Sequence, residues 1–75
     1  MAKYNPLREK SYSLGRTIQK LRQKKDLTQE KLAERAGITL NYMGIIEIGN
    51  KMPSMRVLIK IAEVLEVRTK DLIPF

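Results

Sequence analysis

Cysteine and histidine are both absent from this 75-residue chain. Without cysteine there is no disulfide staple and no thiolate metal site, a composition suited to a reducing cytoplasm. Without histidine the commonest general base is gone, and losing both removes most zinc and copper sites. No Gly-rich phosphate loop is present, and no two carboxylates are placed to share a cleft. The sequence therefore predicts no enzyme, no cofactor and no metal. No apolar run approaches the roughly 18 residues that cross a bilayer, and the N-terminus carries no apolar signal core. The expectation is a soluble protein kept in the cytoplasm. A chain this short makes one domain that buries only about 60% of its unfolded surface, too little to enclose a deep substrate pocket as well.

Positive charge is abundant. The net charge is +7 with a sequence pI near 10.0, which suits either plain solubility or a polyanionic partner, most often nucleic acid. Its distribution is uneven. Residues 1–26 hold eight Lys/Arg against two acids, while residues 27–75 hold seven against six. The excess lies at one end of the chain.

Met1 to Ser11 shows no helical period and contains a proline. Residues 1–12 are expected to form a flexible basic arm, either an untethered tail or a segment that reaches a minor groove. Residues 13–75 then form the folded domain. A first helix is expected from Ser13 to Lys25, with Leu14, Ile18 and Leu21 on one stripe. Arg22 falls on that same stripe, and a buried guanidinium needs a partner. Glu47 is the expected one, a structural ion pair.

Thr28 has the chemistry of an N-cap for a second helix, with Glu30 at its positive end and Leu27 placed to staple onto Leu32. Gly37 stops that helix as a left-handed residue. Thr39 caps a third, in which Tyr42, Met43 and Ile46 share one side with Glu47 at its border, and Asn41, Gly44, Ile45 and Ile48 share the other. Ser54 caps a fourth, whose Leu58, Ile61, Ala62 and Leu65 follow the i, i+3, i+4, i+7 rule of a core face. Thr69 is expected to cap a short last helix through Ile73. The fold class is all-α, with five helices. Residues 28–48 form two short helices about a tight turn, the shape used to lay a helix into the major groove of DNA.

Three segments in order, IQKLRQKKDLTQEKLAERAGI, YMGIIEIGNK and PSMRVLIKIAEVLEV, resemble the Xre/Cro/cI helix-turn-helix family of phage-repressor-type regulators. The likeness spans roughly Leu14 to Leu72. It implies a compact five-helix bundle of the lambda-repressor-like type and a transcriptional regulator, of repressor or controller type, that binds double-stranded DNA operators as a homodimer. By resemblance Gln29 contacts backbone phosphate, and Thr39, Leu40, Asn41, Gly44 and Ile45 face base edges from a recognition helix at 39–48. Tyr42 touches phosphate while packing its ring inward. Asn50 and Lys51 meet the sugar-phosphate chain, and Arg22 with Glu47 matches the family's buried ion pair. The C-terminal end (Val67, Leu72, Ile73, Phe75) is where the family makes its two-fold contact, and in so small a domain these residues equally suit covering the base of the first and fourth helices.

Residue chemistry agrees in part. The starts of the second and third helices, at Thr28 and Thr39, present free N–H groups to phosphate. Asn41 can make paired hydrogen bonds to adenine, and Leu40 and Ile45 can pack on thymine methyls. One departure stands out. Between Ile38 and Asn50 there is no Lys or Arg, so affinity for DNA must come largely from charge elsewhere. The apolar Leu40, Ile45 and Ile48 also suit a second function, an interaction module of antitoxin-like type that grips a partner helix.

Overall fold

Four polar side chains open four helices. The Asn5 carboxamide oxygen accepts from the N–H groups of Leu7 (3.1 Å) and Arg8 (3.3 Å). The Thr28 hydroxyl accepts from Lys31 (3.0 Å), that of Thr39 from Tyr42 (3.0 Å), and that of Ser54 from Val57 (3.2 Å). Each such cap satisfies an orphan donor and is worth about 1 kcal/mol. In the computed structural model, which describes residues 4–75, these caps begin α1 (Pro6–Lys24), α2 (Gln29–Ala36), α3 (Leu40–Glu47) and α4 (Met55–Leu65). No strand occurs among the described residues.

The helix ends share one closure. Asp26, Gly37, Gly49 and Glu66 each adopt positive φ (57°, 74°, 84° and 59°). After each, the next residue's N–H turns back to a carbonyl five residues earlier: Leu27 to Arg22, Ile38 to Ala33, Asn50 to Ile45 and Val67 to Ala62, at 3.0–3.1 Å. This is the Schellman arrangement. Glycine announces two of these stops in the sequence. The other two fall on acids, and only the fold reveals them.

The core draws on every element. Leu14 and Ile18 of α1, Leu32, Ala33 and Ala36 of α2, Met43 and Ile46 of α3, and Leu58, Ile61, Ala62 and Leu65 of α4 are buried. For α1, α3 and α4 these are the faces the apolar spacing predicts. Leu72 completes the core from a terminal 3-10 turn (Thr69–Leu72). Each fully buried Leu or Ile contributes roughly 1.5–3 kcal/mol. Among the described residues, no helix is long and apolar enough to cross a membrane.

Three expectations need correction. The first helix begins at Pro6, not Ser13, so residues 6–12 are helix and not arm. The cause is local: Asn5 caps, and Pro6 sits at the first helical position, where its fixed φ suits and its missing N–H costs nothing. Residues 1–3 of the expected arm lie outside the described residues. The fifth helix is only the 3-10 turn. Pro74 forces Ile73 into extended backbone (φ −104°, ψ 93°), leaving too few residues for an α-helix. Nor does Thr69 cap it; Arg68 holds the cap position and its N–H donates to the Asp71 carboxylate at 3.0 Å.

Candidate nucleic-acid interface

The third helix meets the core along one side only. Met43, Ile46 and Glu47 are buried, and Tyr42 is half-buried with its ring against the core. The opposite side stands open. Asn41 is exposed, Leu40 is 47% and Ile48 62% exposed, and Gly44 and Ile45 are half-covered. Asn50 and Lys51 lie exposed in the loop that follows.

A polar network fixes this helix from behind. Glu47, 3% exposed, accepts a bidentate pair from Arg22: Nε to Oε2 at 2.7 Å and Nη2 to Oε1 at 3.1 Å. The remaining guanidinium nitrogen, Nη1, donates to the Leu27 carbonyl at 2.8 Å. The expected ion pair therefore forms, and it also ties down the α1–α2 link. Fork-on-fork geometry holds both position and orientation.

Gln29 joins the same network, which its spacing did not suggest. Its Nε2 donates to Glu47 Oε1 at 3.0 Å. Its Oε1 lies 3.7 Å from where a Cβ on Gly44 would sit. The start of α2 is thus pinned beside the open face of α3. The second N–H of the Gln29 amide has no acceptor within this network. The Thr28 and Thr39 hydroxyl oxygens accept backbone N–H bonds at the two helix starts, and each O–H proton is left to donate outward.

The structure brings Thr28, Gln29, Thr39, Leu40, Asn41, Gly44 and Ile45 to α3 and the adjoining start of α2, with Asn50 and Lys51 on the turn after α3. The C-terminal group divides. Leu72 is fully buried core, Val67 and Ile73 are half-buried, and Phe75 is 52% exposed.

A helix-turn-helix family model matches residues 18–72. YazB of Bacillus subtilis, described as an uncharacterized HTH-type transcriptional regulator, is 38% identical over 60 residues, covering 80% of this chain and 87% of that protein. The restriction-modification controller protein C.AhdI from Aeromonas hydrophila superposes with a TM-score of 0.81 at 31% identity, over 83% of this chain and 94% of that one. SinR, a master regulator for biofilm formation solved in complex with DNA, superposes with a TM-score of 0.76 at 33% identity, over 79% and 95%. These relatives favour DNA binding over the interaction-module reading. The chain belongs to the Xre/Cro/cI-type helix-turn-helix family of DNA-binding transcriptional regulators.

Proposed function

We propose that this chain is a repressor or controller that lays α3 into the major groove of a near-palindromic operator, acting as a homodimer in the cytoplasm and associating with the nucleoid when bound. The observation that carries this reading is the open face of α3 beside the pinned start of α2. Asn41 supplies the paired hydrogen bonds that suit adenine, while Leu40 and Ile45 meet thymine methyls. Thr28, Gln29, Tyr42, Asn50 and Lys51 hold phosphates on either side. Thr39 faces the groove edge, and Gly44 lets the backbone come near. Exposed Phe75, with half-buried Val67 and Ile73 of the same C-terminal end, offers the two-fold contact.

Selection of bound duplexes from a random pool tests the reading directly. A recovered consensus, lost on Asn41→Ala while the fold persists, is the expected result. If about six phosphates are neutralised, log K should fall against log salt with a slope of about −5. A flat salt response, or a pool that yields no consensus, would defeat the proposal. Sedimentation with and without the selected duplex tests the dimer, and a monomer in both would remove it.

A further inference from the structure

The first two turns of α1 bury almost nothing. Between Pro6 and Tyr12 only Ser11 is buried. Helices draw most of their stability from what they pack against, and besides the Asn5 cap and continuity with the rest of α1 these turns have few holds: buried Ser11, the backbone at Tyr12 against Gly49, and the Lys10 ammonium 5.6 Å from the Phe75 ring centre. They stand as a preformed rod beside the domain.

Two backbone contacts set where the rod lies. Gly15 meets the last carbonyls of α3, and a Cβ on Gly49 would sit 2.6 Å from the Tyr12 Cα. The turn that carries Asn50 and Lys51 therefore rests on the rod. One helical turn back along α1 from Tyr12, Arg8 continues the same stripe, and Tyr4 lies just ahead of the Asn5 cap. These three, with Asn5 and Glu9, line an open groove of about 350 Å³.

We infer that this stripe is a second phosphate-binding surface, where Arg8 pairs with a DNA backbone phosphate flanking the segment under α3 and the Tyr12 phenol donates to the same strand. The inference rests on the proposed DNA reading. Three observations carry it. From Ile38 to Lys51 the only cation is Lys51, so neutralisation of a backbone bearing one charge per roughly 3.4 Å of each strand must come from neighbouring elements. Among the described residues no carboxylate forms an ion pair with Arg8. Glu9, the one acid in the groove, sits about 100° round the helix from Arg8. The rise from Tyr12 to Arg8 is about 6 Å, enough to pass from one phosphate to a neighbouring one. The occupant is DNA and not an acidic protein because the rod continues the loop that already carries Asn50 and Lys51.

The test uses the full chain and a duplex recovered by selection, made with long flanks. Arg8→Ala should make the salt slope shallower by about 0.9, the loss of one phosphate contact, and should erase ethylation interference at a flanking phosphate while leaving base contacts intact. Tyr12→Phe should weaken binding with the slope unchanged. Lys60→Ala, an exposed cation on α4, should change neither readout. An Arg8→Ala protein with the wild-type slope and interference pattern would overturn the inference. So would an equal slope change in Lys60→Ala, which would signal bulk charge alone, or a change in sedimentation of Arg8→Ala without DNA, which would make the rod a self-association contact. If the wild-type chain binds no duplex, the reading of α3 itself fails; wild-type binding that ignores Arg8 defeats the rod alone.

Discussion

Gly15 of α1 and Ile46 of α3 meet backbone to backbone: a Cβ on Gly15 would lie 2.4 Å from the Ile46 carbonyl oxygen and 2.6 Å from that of Glu47. No side chain fits there, and none of the atoms met can swing aside. Gly15→Ala improves local helix propensity by nearly 1 kcal/mol, yet it forces α1 away from α3. We expect a net loss of about 2–3 kcal/mol in urea unfolding. A variant as stable as the parent would mean that the two helices slide apart freely.

Gly44 is the opposite case. It lies mid-helix in α3, and an added Cβ would find only Gln29 Oε1 at 3.7 Å, an ordinary contact. Gly44→Ala should therefore raise stability by about 0.5–1 kcal/mol. The same methyl stands on the open face of α3, so affinity for a selected duplex should fall. Denaturation and duplex titration on one sample check both signs, and a variant that gains stability and binds as tightly as the parent would move the DNA away from Gly44.

Removing one partner from the Arg22–Glu47 pair strands a buried charge. Arg22→Met should cost about 3–5 kcal/mol. Arg22→Met combined with Glu47→Leu should cost less, since no carboxylate is then left among Leu27, Gln29 and the core. The double-mutant cycle by chemical denaturation reads the coupling directly. A double variant no better than the single one would say that the carboxylate finds enough solvent or other donors without Arg22.

Lys25 pairs with Glu66 across the ends of α1 and α4. The hydrogen bond from Lys25, and then its charge, hold the Glu66 carboxyl below its ordinary value of 4.5. A depressed carboxyl pKa stabilises the fold above the unfolded value, and that contribution is lost as pH falls through the folded one. Both groups are exposed, so the effect is small and screened by salt. NMR titration of the Glu66 carboxyl should show a low midpoint that returns to the ordinary range in Lys25→Ala. Identical midpoints in the two proteins would remove the pair from solution.

The sequence made much of the frame legible because the signals act over short distances. Thr28, Thr39 and Ser54 each cap as their chemistry requires, since a hydroxyl reaches an N–H only three residues on. Asn5 and Pro6 carried the same kind of signal, masked by the charged and aperiodic residues that follow. Asp26 and Glu66 carried none: an acid in the left-handed region is held there by the closing hydrogen bonds, not by its own preference. The open face of α3 was visible from its 100° periodicity. The grip of Gln29 on Glu47 was not, because those residues lie on different helices.

By itself, then, the sequence determined the apolar stripes of the helices, the caps at Thr28, Thr39 and Ser54 and the turn at Gly37, all properties of residues within about one or two helical turns of each other. The tertiary structure decided which surfaces remain outside. It drew Leu72 into the core while leaving Phe75 out, closed α1 onto α3 at Gly15, and set the Arg8–Tyr12 rod against the turn that holds Lys51. Those outcomes depend on how closely two backbones approach, which steric fit between distant segments sets and no local pattern records.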